Sequence, residues 1–212
     1  VSNAGVLQQL RGDFIDARSN FLHSLEVSQA LGDRYGIALA YTNLGVLFNV
    51  LGLHQSALEQ LSQALALFRE IGSQRMEADL QVNLALTYHY LGDQVQSIDY
   101  TNQALSQIEE QHFQHIISPA YLNLGRAFEA LGQVDEARSA YQRVIESQSL
   151  DGPANDRIVA QCGLARLAWQ AKSPLEAQVH IDEILSRLSP SLFAEGSTNA
   201  LEDDPAVANQ EL

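Results

Sequence analysis

The chain has 212 residues, which is enough for one large domain or for a stack of small units. Its formal net charge is -14 and it contains a single lysine, so no clustered basic surface for direct nucleic-acid binding is expected. No apolar run reaches membrane-spanning length, and the single cysteine, Cys162, cannot form an internal disulfide. We therefore expect a protein of a reducing, cytoplasmic compartment without a membrane segment.

A pattern with a period of forty residues runs along the chain. The segment "YTNLGVLFNVLG" at 41–52 returns as "QVNLALTYHYLG" at 81–92 and as "YLNLGRAFEALG" at 121–132. A fixed period of this length indicates a solenoid of repeated supersecondary units. The small residue that follows Asn-Leu in the three quoted segments marks the register along the whole chain, at Gly5, Gly45, Ala85, Gly125 and Ala165.

Each unit reads as two helices. Apolar residues in 38–51 are spaced three and four apart, which favours an amphipathic helix, and a Leu-Gly pair follows as a helix end. A second helical pattern begins directly after each pair. The predicted helices are 4–14, 15–31, 36–51, 54–71, 75–91, 94–111, 116–131, 134–148, 156–170 and 174–188, in repeats of about 1–33, 34–73, 74–113, 114–153 and 154–188.

These units resemble the tetratricopeptide repeat. The matching residues are Tyr41, Leu44, Gly45, Phe48, Gly52, Ala57 and Ala64, and later Tyr121, Leu124, Gly125, Phe128, Gly132, Ala137 and Tyr141. The resemblance implies an all-α, right-handed superhelical solenoid of antiparallel helix pairs. Two features depart from the family pattern: the period is forty rather than the usual thirty-four, and the repeat at 74–113 has Ala85, Ser97 and Thr101 where the family prefers Gly, Ala and an aromatic residue.

The stretch "LGDRYGIALAYTNLG" is similar to the repeat arrays of large bacterial signalling ATPases and transcriptional regulators. That similarity implies the sensor or interaction arm of a larger regulatory protein, which binds a protein or peptide segment. The alternative is an oligomerisation module of such a protein, so a homo-oligomer stays open. Residues 189–212 read as a loop with an acidic tail, or as the start of a truncated sixth repeat.

No motif for catalysis, phosphate binding or a cofactor is present, so we expect no enzyme activity and no cofactor. His112 and His115 are spaced three apart, as metal ligands on a helix can be, but the pattern more strongly favours solvated polar residues. Cys162 reads as a packing residue.

The candidate binding residues lie on one face of the first helix of each repeat. Residues four, three and four apart share a helix face, and in tetratricopeptide proteins this face lines the concave groove. The resemblance therefore implies a row of Asn43, Asn83 and Asn123 whose amides bind a peptide backbone; the alternative is that they bond neighbouring helices. Arg126 and Arg166 lie on the same face and are expected to bind acidic groups, or else to pair locally with Glu129 or other acidic residues. For His89, Tyr90 and Trp169, ligand contact and rim packing both remain open.

Overall fold

The computed structural model describes residues 13–111, 114–147 and 154–188, and within them all regular structure is helical. The α-helices are α1 Phe14–Leu31, α2 Arg34–Val50, α3 His54–Ile71, α4 Gln74–Tyr90, α5 Gln94–Gln111, α6 Ile117–Ala130, α7 Val134–Glu146, α8 Ala154–Gln170 and α9 Pro174–Leu188, with a short 3-10 helix at Gln114–Ile116. The helices predicted from residue 15 onward are confirmed to within two residues at each end. The predicted helix 4–14, apart from Asp13 and Phe14, and the tail 189–212 lie outside the described residues.

Glycines end the helices where the Leu-Gly pairs predict helix ends. Gly52 has a φ of 74° and Gly132 a φ of 73°, a left-handed backbone that glycine adopts without a Cβ penalty. The chain then turns back on itself: the Gly52 amide donates to the Asn49 carbonyl and the Leu53 amide to the Phe48 carbonyl. The next helix can therefore start within a few residues and pack antiparallel to the first.

Paired small and large residues set the spacing inside each hairpin. Gly45 of α2 faces Leu61 of α3, and a Cβ added at Gly45 would lie 2.5 Å from the leucine side chain. Gly125 of α6 faces Tyr141 of α7 in the same way, at 2.4 Å from the ring. In the α4–α5 hairpin the equivalent pair is Ala85 and Thr101, both fully buried. Alanine, which is larger than the glycine of the other two hairpins, thus faces threonine, which is smaller than their leucine or tyrosine. This compensation in volume explains how the degenerate repeat still packs.

The hairpins stack with a consistent curvature. Consecutive first helices, α2 with α4, α4 with α6 and α6 with α8, are in contact. Between the consecutive second helices α1, α3, α5, α7 and α9, the described residues make no such contact. The first helices are therefore closer together and form the inner, concave side of the stack, whereas the second helices form the outer side. A hairpin alone would leave its apolar face exposed, and stacking buries it in layers between neighbours.

Candidate functional site

A group of charged and polar side chains lies on the inner surface formed by α4, α6 and α8. An open depression of about 340 Å³ there is lined by His89, Arg126, Glu129, Ala130, Arg166 and Gln170. These residues recur with the forty-residue period, because 89 and 129, 126 and 166, and 130 and 170 are equivalent positions in successive repeats. The repeat thus aligns side chains from three helices along one surface.

The Asn row is not uniform. Asn123 is only 2% exposed, and its amide Nδ2 donates to the backbone carbonyl of Val82 on α4 at 2.9 Å. An amide that is enclosed and already bonded is not accessible to the backbone of a partner. The expectation of three groove-facing amides is therefore corrected at Asn123, which has the alternative role of bonding a neighbouring first helix.

Asn43 and Asn83 are both half-buried, on α2 and α4. The Asn83 amide has no hydrogen-bond partner among the residues that the structure describes. At the equivalent place in α8 the residue is Gly163, where a Cβ would lie 2.5 Å from the Tyr141 ring. The aromatic ring thus takes the space that the side chain of an asparagine would need, which gives a steric reason why the row ends there.

Arg166 is already paired. Its Nε donates to Glu129 Oε1 at 2.8 Å and its Nη2 donates to Glu129 Oε2 at 2.7 Å, a two-pronged pair across α8 and α6. The Tyr141 hydroxyl donates to the same Oε2 at 2.8 Å. Of the two roles considered for Arg166, local pairing with Glu129 is the one that the structure shows.

The pKa values in this cluster follow from burial and hydrogen bonding. Burial opposes ionisation of Glu129, but the hydrogen bonds from Arg166 and Tyr141 outweigh it and hold its pKa below the ordinary value. Burial and the bond to Glu129 raise the pKa of the Tyr141 phenol, so it stays protonated and donates. Hydrogen bonds to Glu129 raise the pKa of Arg166. At neutral pH, Glu129 and Arg166 are therefore both charged and form an ion pair, to which the neutral Tyr141 donates a hydrogen bond.

Arg126 differs from Arg166. It is half-buried on α6 and forms no ion pair with any carboxylate in the described part of the chain. The nearby charge of Asp156 on α8 acts on it without forming an ion pair, and burial raises the pKa of that aspartate despite the arginine. The guanidinium of Arg126 therefore keeps its five donors for another group.

The aromatic candidates Tyr90, His89 and Trp169 lie on first helices, which form the inner side of the stack. Tyr90 is 48% exposed and stacks on the His54 ring at 4.7 Å between centroids. His89 Nδ1 is 2.9 Å from Gln94 Oε1, and since that oxygen only accepts, Nδ1 donates. Trp169 is 72% exposed on α8, so for this residue ligand contact remains a prediction.

Sequence reasoning did not select Asn49 or His54 as site residues. Asn49 donates to Thr87 Oγ1 at 2.7 Å, and its own Oδ1 is 3.2 Å from His54 Nδ1, so the pair supports the Tyr90 stack. A signal was available in the repeat register, because Asn49 is equivalent to His89, and each faces the next first helix. Comparing equivalent positions, rather than one face of one helix, would have found it.

The predictions about metals and membranes bear on described residues only. His115 contacts Asp79 at 2.7 Å, whereas His112 lies outside the described residues. No group of three or more metal-ligating side chains occurs in the described ranges. None of the described helices is both long and apolar enough to cross a membrane.

The comparison with protein families decides the identity of these repeats. A tetratricopeptide repeat model matches residues 1–70, 37–110 and 76–149. The chain belongs to the tetratricopeptide repeat family. A search of curated proteins gave no match. The resemblance proposed from the residues is thereby confirmed, and with it the helical repeat solenoid.

Solved tetratricopeptide-like structures share this fold. BtubC (BKLC) from P. vanneervenii superposes with a TM-score of 0.71 at 21% identity, over 98% of this chain and 83% of that one. A Rap protein solved with competence and sporulation factor gives 0.78 at 16% identity, over 87% of this chain and 52% of that one. NprR, solved with its cognate peptide NprX, gives a TM-score of 0.69 at 18% identity, over 92% of this chain and 56% of that one. At these identities the likeness shows the fold alone.

Proposed function

We propose that this tetratricopeptide solenoid is a non-catalytic scaffold whose concave face binds an extended peptide or protein segment. The observation that carries the proposal is the inner face of α4, α6 and α8, where two polar side chains have no hydrogen-bond or ion-pair partner among the described residues. Asn83 offers an amide donor and acceptor, and Arg126 offers a guanidinium without an ion pair. Both are half-buried, so a ligand that reached them would be partly shielded from water.

The two complexes among the structural relatives support this choice of ligand. The Rap protein and NprR were solved with competence and sporulation factor and with the peptide NprX, respectively. The same solenoid can therefore hold a peptide. Transferred to this chain, the arrangement suggests a segment running along the first helices, with its backbone on Asn83 and Asn43 and its side chains against Tyr90, His89 and Trp169.

The polar groups divide the work of recognition. A side-chain amide can bond a peptide backbone whatever the sequence of the peptide, whereas a guanidinium selects an acidic group. Each lost amide contact would cost about 0.5–1.5 kcal/mol, and more if a buried partner group were left unpaired. Two lost contacts would thus weaken binding by roughly tenfold to a hundredfold.

Selection from a random linear peptide library tests the proposal. We expect enriched peptides whose affinity falls by roughly tenfold to a hundredfold in the double variant Asn83→Ala, Arg126→Gln. The matched control is Asn102→Ala, Arg143→Gln, which makes the same chemical changes at exposed positions on the outer helices α5 and α7. Equal loss in both variants, or peptides that bind both as well as the parent protein, would contradict a groove site.

The setting of the chain is a further part of the proposal. We place it as a sensing or interaction arm of a larger cytoplasmic regulator, on its similarity to repeat arrays in signalling ATPases and transcriptional regulators. Self-association is the competing function, favoured by exposed apolar side chains such as Leu175 and Val179 on α9. Light scattering over a concentration series separates the two, because an oligomerisation module would gain mass without any peptide.

A further inference from the structure

Two arginines in one register have different neighbours. Arg126 and Arg166 are forty residues apart and occupy equivalent positions on α6 and α8. The residue that pairs with Arg166 is Glu129, thirty-seven positions earlier on the preceding first helix. The residue thirty-seven positions before Arg126 is His89, which lines the same depression. The chain thus has a histidine where the next repeat has the neutralising carboxylate.

The second helix of the hairpin strengthens this difference. Tyr141 donates its hydroxyl to Glu129 and so holds the carboxylate towards Arg166. Glu129 is only 15% exposed, and both of its oxygens already accept from Arg166 or Tyr141. It is therefore poorly placed to exchange Arg166 for Arg126, although both arginines line one depression with it.

We propose that Arg126 is the position at which the groove selects a carboxylate of its partner, and that Glu129 limits this selection to one cation by neutralising Arg166. The inference rests on the proposed function, because the carboxylate belongs to the bound segment. His89 lines the site on the α4 side.

Four other side chains lie around this site, and the two carboxylates among them are the internal competitors of a ligand carboxylate for Arg126. Glu129 is held by Arg166 and Tyr141, and these three form the locked side of the depression. Asp156 on α8 is the internal carboxylate whose charge acts on Arg126, but it makes no ion pair with it in the described part of the chain, and its Oδ2 has no partner there. A ligand carboxylate must therefore bind Arg126 better than Asp156 can from its position in the first turn of α8.

Nuclear magnetic resonance of the arginine Nε–H groups tests the proposal directly. The probe is N-acetyl-glutamate N-methylamide, and the neutral analogue N-acetyl-glutamine N-methylamide, of the same shape, is the control, both at constant ionic strength. We expect a saturable shift of the Arg126 signal with the glutamate probe only. The signals of Arg166 and of the outer-helix Arg143 should stay unchanged. An unmoved Arg126 signal, or equal shifts of Arg126 and Arg166, would overturn the proposal.

Two variants give each arginine the kind of neighbour that the other arginine has. Glu129→Gln removes the neutralising charge but keeps an oxygen that can accept from Tyr141, so Arg166 should begin to shift and the probe should bind about threefold to tenfold more tightly. His89→Glu places a carboxylate opposite Arg126, as Glu129 lies opposite Arg166, and should weaken the probe by about tenfold. If Glu129→Gln left Arg166 unresponsive, or His89→Glu left binding unchanged, the assigned roles would be wrong.

Failure of this inference can be separated from failure of the proposed function. Library peptides that still depend on Asn83 but show no preference for Asp or Glu would keep the peptide groove and discard the carboxylate site. A carboxylate shift at Arg126 without any peptide selected by the groove would keep the site and discard the extended-segment function. Arg126→Gln, compared with Arg143→Gln, distinguishes the two cases in the same peptide assay.

Discussion

Tyr141 shows how a single side chain shapes both the stack and the groove. Its ring lies against Gly125 of α6 and Gly163 of α8, and its hydroxyl reaches Glu129 on the inner face. The buried ring therefore joins two consecutive repeats, while its polar end fixes a charged pair at the site. A change at this position would be felt in stability and in recognition.

Gly125→Ala should destabilise the protein, because the added Cβ would lie 2.4 Å from the Tyr141 ring. We expect a loss of about 1–3 kcal/mol in the free energy of unfolding. The same change in a Tyr141→Thr background should cost clearly less, since the native α4–α5 hairpin pairs Ala85 with Thr101. Urea unfolding of the four proteins measures the coupling, and strict additivity would contradict the size-matching account.

The Glu129–Arg166 pair should make stability fall in acid. The pKa of Glu129 is lowered in the folded protein, so the pair stabilises it above the ordinary glutamate range, near 4.3. This contribution is lost as the pH falls through the lowered pKa. Because Arg166 is 55% exposed and screened by solvent, we expect only about 0.5–1 kcal/mol. In chemical unfolding at pH 7 and pH 3, the free energy of unfolding should fall less for Glu129→Gln than for the parent protein. An equal fall in both proteins would contradict the stabilising role of the pair.

For single residues, the sequence predicted equivalent positions in the repeats better than it predicted the role of each side chain. The forty-residue register placed Asn43, Asn83 and Asn123 at equivalent positions, and that equivalence is real. Whether an amide at such a position is bonded to a neighbouring helix depends on the local geometry between the helices, which the repeat period does not encode. The Asn123 side chain donates to the Val82 carbonyl, whereas the side-chain amide of Asn83 has no hydrogen-bond partner among the described residues.

Among the elements, the α4–α5 hairpin has the most polar core. Gln81, Thr87, Ser97 and Thr101 are buried there. The apolar cluster beside it consists of small side chains such as Ala78, Ala104 and Ala120, with Val82 and Ile116. Each of the other apolar clusters contains a buried aromatic residue, Phe68, Tyr141 or Phe21. We therefore expect less apolar area to be buried between this hairpin and α6 than in the cluster around Phe68, to which α4 contributes Leu80 and Leu84.

Ser97→Ala should stabilise the chain. The Ser97 side chain is fully buried, its Oγ has no hydrogen-bond partner among the described residues, and the equivalent positions 57, 137 and 177 are alanine. Removing an unsatisfied buried hydroxyl should raise the free energy of unfolding by about 1 kcal/mol. The converse change, Ala137→Ser, is the matched control and should lower it by a similar amount. A destabilised Ser97→Ala protein would show that the hydroxyl has an unrecognised role.

Helix ends could be read from the sequence because a single residue decides them. Glycine is favoured wherever φ is positive, and Leu-Gly pairs therefore marked the ends of α2, α4 and α6. The α8–α9 turn has the same left-handed conformation at Lys172, with a φ of 59°, where the sequence offers no glycine. That turn was predicted from the repeat register alone, and the register proved sufficient.

For the whole molecule, stacking of neighbours implies that the array unfolds as coupled units. The α4–α5 hairpin should be the weakest of them because its core is polar and its side chains are small. Hydrogen exchange should thus be faster for residues 78–107 than for 38–68 and 118–145. Stronger protection of the α4–α5 hairpin than of both neighbours would contradict the order of stabilities.

We propose the concave face of α4, α6 and α8 as the binding surface of the molecule. The most direct measurement is chemical-shift mapping of the ¹⁵N-labelled protein with a peptide selected by it from the random library. We expect perturbations concentrated at Asn83, His89, Arg126 and their neighbours on the inner helices. Perturbations confined to the outer helices α3, α5 and α7 would contradict it.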